Sequence, residues 1–218
     1  DIVFGDWSSD VCSSDLALGG GTSEALAGLK PFDTAGPPGR RAAPWTAPTR
    51  RVKIPPMNDM DRRHLAAAVE RARKARAEGN HPFGAVLADA SGKILLEAGN
   101  TVVTGRDCTG HAETNLARAA SAAHERDFLR TCTLYTSAEP CAMCAGAIYW
   151  SGIGRVVYAL SESALRGLTG DDPENPTLDL PCREVFARGR RPVAVEGPGE
   201  VPGAAEVHAG FWKPDGTA

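Results

Sequence analysis

Two short segments, His111-Ala112-Glu113 and Pro140-Cys141-Ala142-Met143-Cys144, restrict the possible folds of this chain more than any other part of it. Cys141 and Cys144 are three positions apart, so a helix opening at Cys141 places both thiols on one face, where they can share a metal ion. A helix N-terminus also favours thiolate over thiol. Pro140 stands where a missing N–H costs little. His111 precedes Cys141 by 30 residues, so the third ligand comes from a separate element and the fold must bring two helix starts together. With His111, Cys141 and Cys144 as ligands, one Zn2+ per chain keeps its fourth position for water or hydroxide, the water having a pKa of about 7. Glu113 is too near His111 along the chain to share a helix face with it. In a first helical turn, however, both side chains can converge on what the helix end points at, which makes Glu113 a proton carrier rather than a ligand. A second reading stays open. Cys108 completes a C-x2-H…C-x2-C set, the pattern of a closed structural Cys3His site, although such a site needs neither Glu113 nor Pro140.

With 218 residues, 42% of them hydrophobic, the chain can bury one full core. A net charge of −3 is not the electrostatic footprint of a nucleic-acid-binding domain. No apolar run approaches twenty residues and no secretory signal pattern is visible, so the expectation is no membrane span and a cytoplasmic protein. Thiolate ligands suit a reducing compartment. Cys132 falls in a strand pattern and reads as a core residue, while Cys12 and Cys182 have no evident partner.

Residues 1–56 differ in composition from the rest. Gly19-Gly20-Gly21, Pro37-Pro38-Gly39 and Pro55-Pro56 predict a disordered Pro/Gly-rich tail. Ser8–Asp15 shows neither helical nor strand period and fits an artefact of sequence assembly as well as a natural segment. A catalytic domain is expected over 57–196, followed by a C-terminal tail over 197–218. Asn58 is a plausible N-cap for an amphipathic helix over 60–78, closed by Gly79-Asn80. Strands are predicted over 83–89 and 93–103, forming a hairpin across Ser91-Gly92, and again over 131–137, 155–160 and 192–196. Helices are predicted from His111 to Ala123, from Cys141 to Trp150, over 161–168 and over 181–188. This alternation implies an α/β fold with a partly parallel sheet covered on both faces.

His-x-Glu followed by Pro-Cys-x-x-Cys is the zinc deaminase signature, and the chain resembles the cytidine deaminase-like superfamily at every signature position. That resemblance implies a three-layer α/β/α sandwich around a mixed five-stranded sheet, and a homodimer. Cys108 stands where the superfamily commonly has proline. Within the superfamily the chain is most similar to bacterial guanine deaminases, over roughly residues 60–213. The similarity is carried by His81-Pro82-Phe83-Gly84-Ala85, Leu134-Tyr135-Thr136-Ser137, Gly146-Ala147-Ile148-Tyr149-Trp150 and an aromatic tail. It implies a base-contacting amide at Asn100 and purine-binding carboxylate chemistry at Asp171 or Asp172. It also implies a tail, here with Phe211 and Trp212, folded over the site. Phe83 and Trp150 could stack on a flat ring or serve the core.

The expected activity is hydrolytic deamination of a free nucleobase or nucleoside, guanine or guanosine first, with ammonia released. The rivals are a tRNA adenosine deaminase, a cytosine or cytidine deaminase and, in a different class, a catalytically silent nucleotide-binding module. The acidic stretch Gly170-Asp171-Asp172-Pro173-Glu174 argues against a phosphate-rich partner such as RNA.

Overall fold

The structure, a computed structural model, describes residues 57–170, 172, 175 and 178–212. The predicted disordered tail, Cys12 and Asp171 lie outside the described residues. Helix α1 (Asp59–Ala77) starts at Asn58 through a capping box: the Asn58 side chain accepts from the Asp61 N–H, and Asp61 returns the bond to the Asn58 N–H. It ends at Gly79, whose φ of 85° is the left-handed turn the sequence anticipates. Strands β1 (Gly84–Ala88) and β2 (Ile94–Gly99) form the predicted hairpin. The second strand is shorter than expected. The Asn100 side chain accepts from the Val102 N–H at 2.9 Å and turns the chain into a short helix, α2 (Val102–Gly105). There follow α3 (Ala112–Ala123), α4 (Arg126–Leu129), β3 (Thr133–Ala138), α5 (Ala142–Ser151), β4 (Arg155–Leu160), α6 (Glu162–Thr169), α7 (Cys182–Ala187), β5 (Ala194–Glu196) and a 3-10 turn at Glu206–His208.

The five strands are ordered β2-β1-β3-β4-β5. β1 is antiparallel to both neighbours, whereas β3, β4 and β5 run parallel. Alternation along the strands separates two cores. Val86, Tyr135, Val157 and Ala159 face α1 with Leu65 and Val69. Leu87, Leu134, Val156 and Tyr158 face the other layer with Leu116 of α3 and Ile148 of α5. This is the mixed α/β sandwich the sequence implied. Cys132 is buried in the second core, as expected. Gly84 is where α1 comes closest to the sheet, because a Cβ there would strike the α1 backbone at Ala68 and Ala72.

The sheet topology fixes where chemistry can gather. The C-terminal ends of the parallel β3 and β4 share one edge with the start of β1 and the end of β2. Cys141, Glu162, Phe83 and Asn100 all follow or precede a strand at that edge. No helix among the described residues is long and apolar enough to cross a membrane.

Candidate metal centre and active site

His111 is the N-cap residue of α3 and Cys141 that of α5, both with extended backbone, so each side chain leaves the start of its helix. Cys144 lies in the first turn of α5. One ligand atom from each of His111, Cys141 and Cys144 falls within 4.8 Å of the other two. His111 Nδ1 and Cys141 Sγ are 3.7 Å apart. Tetrahedral zinc would set a nitrogen and a sulfur ligand about 3.6 Å apart, so the set fits one Zn2+ in both donor type and spacing. Cys108 is exposed and does not join the cluster, which leaves three ligands rather than a closed set of four.

The electrostatics are those of a site that holds thiolate. The Cys144 S–H, with His111 and the helix N–H groups, holds the Cys141 thiol down at about 4 against the opposing effect of burial. Cys144, sharing that proton and buried, is pushed up. The Thr114 hydroxyl lies 3.3 Å from Cys144 Sγ.

Glu113 is buried at the first turn of α3. Its Oε1 accepts from the Thr136 hydroxyl at 2.6 Å, and its Oε2 is 3.5 Å from Cys144 Sγ. Burial pushes the carboxyl up, and the Thr136 hydroxyl and His111 offset part of that rise. Thr136 reaches it because it shares the sheet face of Leu134 and Tyr158, toward α3. The carboxylate is thus held in one orientation beside the metal ligands.

A cavity of about 390 Å³ opens on this cluster. His111, Glu113, Cys141 and Phe83 line it, with Cys108 and Val102 from the α2 region. Its other walls are His81, Met143, Leu165, Asn175 and Leu178, together with two more carboxylates, Glu139 and Glu162. No lysine or arginine lines it among the described residues.

Asp172 is half-buried and does not line the cavity, and Asp171 is outside the described residues. A carboxylate that the sequence reading did not single out also lines the cavity. That carboxylate is Glu162, the first residue of α6. Burial, then the negative charges of Cys141, Glu139 and Glu113, raise it to about 7. Glu139 sets the entry to α6: its two oxygens accept from the Glu162 N–H and the Cys182 N–H, each at 3.2 Å. The sequence did carry a signal for Glu162, an acidic residue opening a helix directly after a strand parallel to the one that delivers Cys141.

Asn100 is buried, and among the described residues its Nδ2 has no hydrogen-bond partner. It does not line the cavity itself but caps Val102, which does. Phe83 packs against the second core and also lines the cavity. Trp150 does not: it is 72% exposed, outside the lining, and packs edge-on against Tyr149. The reason is rotation. Six residues past Cys144, Trp150 sits about 240° around α5 and about 9 Å further along it.

Comparison with known proteins agrees with this geometry. Residues 58–160 match the cytidine and deoxycytidylate deaminase zinc-binding region. A probable cytosine deaminase of Schizosaccharomyces pombe is 41% identical over 156 residues, which is 72% of this chain and 94% of that protein. A guanine deaminase of Bacillus subtilis is 47% identical over 78 residues, 36% of this chain and 49% of that one. Among solved structures, a guanine deaminase from Nitrosomonas europaea superposes with a TM-score of 0.55 at 26% identity, covering 73% of this chain and 93% of that chain.

Proposed function

The chain belongs to the zinc-binding cytidine and deoxycytidylate deaminase family, and from that premise we propose that it hydrolyses the amino group of an uncharged nucleobase or nucleoside, guanine or guanosine first. The observation that carries the choice of substrate is the cavity wall. Among the described residues, three glutamates and no lysine or arginine line it, so a phosphate on the substrate would meet repulsion there. Its volume of about 390 Å³ is ample for a flat heterocycle between Phe83 and the metal ligands. The resemblance to guanine deaminases and the extra carboxylate at Glu162 support a purine. The similarity to a cytosine deaminase supports a pyrimidine as the second reading.

His111, Cys141 and Cys144 would hold the zinc, and the bound ion would supply an acidified water as nucleophile. Glu113, held by the Thr136 hydroxyl, is oriented to hold a proton and would pass it to the ring nitrogen beside the amino-bearing carbon. Burial suits it to this work, because a carboxyl raised toward neutrality can both accept and return a proton. Glu162 is set to move the second proton, onto the departing amine. The balance is one water in, a ring carbonyl formed and one ammonia out. The Asn100 Nδ2, buried without a partner among the described residues, is a donor that an acceptor on the ring edge would satisfy.

The test is a substrate series on the zinc-loaded protein: guanine, guanosine, guanosine monophosphate, the matching cytosine series, adenine, adenosine and a tRNA anticodon stem. Base or nucleoside is expected to exceed the monophosphate in kcat/KM by on the order of tenfold or more, falling with each added phosphate. Turnover of the tRNA stem alone would overturn the reading. Turnover of cytosine without guanine would select the second one.

A further inference from the structure

We propose that the C-terminal segment Val207–Trp212 is a positioning clamp for the cavity wall made by His81 and Phe83; this rests on the reading of the cavity as the base site. His81 and Phe83 precede β1 and face the cavity. The tail packs against those same two side chains. The Trp212 ring lies 5.2 Å from His81 and 5.9 Å from Phe83, the His208 ring 5.2 Å from Phe83, and the Phe211 ring 5.9 Å from His81. Each of the two wall residues is therefore held by two rings of the tail.

The clamp is itself fastened at two points. The Arg76 guanidinium, at the end of α1, donates to the Val207 carbonyl at 2.7 Å and lies 5.7 Å from the centre of the Phe211 ring. Inside the segment, Trp212 Nε1–H donates to His208 Nδ1 at 3.1 Å, and the two rings stack at 16°. An indole N–H can only donate, so His208 accepts at Nδ1 and carries its proton on Nε2. Both residues are almost wholly buried. Phe83 needs such support because its backbone is already committed to the site: its carbonyl accepts from the Asn100 N–H at 3.0 Å. A shift of Phe83 would move Asn100 with it and loosen the wall against which a flat ring binds, which lowers affinity rather than the rate of the chemical step. Trp212 is thus a positioning residue, acting through His81 and Phe83, with no substrate contact of its own.

The experiment compares wild type with Trp212→Ala, Trp212→Phe and Arg76→Met, all zinc-loaded and matched for zinc content. Steady-state ammonia release is read with the best base or nucleoside of the series above, and hydrogen exchange over residues 81–87 is read without any substrate. Trp212→Ala is expected to raise KM on the order of tenfold with kcat held within about threefold, and to speed exchange over 81–87 but not in β4. Trp212→Phe, which keeps an aromatic ring there, is expected to recover most of the KM. Arg76→Met is expected to move KM and exchange in the same direction by less. Unchanged exchange over 81–87 in a folded Trp212→Ala overturns the clamp, whether or not any substrate is turned over. Unchanged KM in an active one overturns it as well, as does a loss confined to melting temperature. A wild type inert toward the whole series would instead contradict the base-site reading, and the exchange data would then decide the clamp alone.

Discussion

At the scale of single residues, the account separates groups that hold metal from groups that move protons. Glu113→Gln keeps the bond to the Thr136 hydroxyl within reach but removes the proton carrier. It is expected to retain one zinc and lose 10²–10⁴-fold in kcat, to order of magnitude, read by metal analysis beside ammonia release. Cys144→Ala should lose zinc and stability together, because zinc-site free energy is partly folding free energy; chelator titration followed by thermal melting reads both. Glu162→Gln should keep zinc and the fold while lowering kcat. Glu113 was legible in the sequence because its role is written in a two-residue spacing from His111. Glu162 was not, because its place at the cavity comes from the parallel pairing of β3 and β4, which no local pattern states.

At the scale of elements, two helix starts and one tail make the site. The ligands converge because α3 and α5 both begin at the edge where β3 ends. Periodicity and capping signals placed those helices within a residue or two. Trp150, which could stack on a ring or serve the core, lies on an exposed face of α5 that those signals do not specify. The tail contacts were invisible for another reason: Arg76 and Val207 meet across 131 residues of chain. The tail also brings a pH dependence. Burial, then the Arg76 charge, depress His208 to about 4 from an ordinary 6.5. The unfolded chain therefore binds a proton that the folded chain excludes. The resulting stability is complete above about pH 6.5 and declines as pH falls toward 4, at about 1.4 kcal/mol per pH unit. Denaturant midpoints at pH 7.5 and pH 5 should drop less for His208→Gln than for wild type, and equal drops would contradict the tautomer and its burial.

At the scale of the whole molecule, the two faces of the sheet have different tasks. The face toward α3 and α5 carries the chemistry, while the face toward α1 carries a buried ion network. There, Arg155 bonds Asp61 at 2.7 and 3.1 Å and Glu196 at 3.0 Å, and the Tyr135 hydroxyl donates to Asp61 at 2.8 Å. Burial alone would raise the Asp61 carboxyl; the hydrogen bonds from Arg155, the Asn58 N–H and Tyr135 outweigh it and lower it. Asp61→Asn should leave Arg155 with Glu196 as its remaining anionic partner and cost about 1–3 kcal/mol, with kcat of the folded protein unchanged; urea unfolding beside the activity assay reads both. The homodimer that the resemblance implies is tested at α5, which carries no charged residue and exposes Met143 and Trp150. Sedimentation should find a dimer that Trp150→Glu weakens.

The most direct test of the account is zinc content and ammonia release measured together on wild type and Glu113→Gln, with guanine, guanosine, cytosine and cytidine. The account predicts one zinc per chain in both proteins, ammonia from at least one of these compounds in wild type, and at most about a hundredth of that rate in the variant. Full activity in Glu113→Gln, or activity that survives complete removal of zinc, would contradict it.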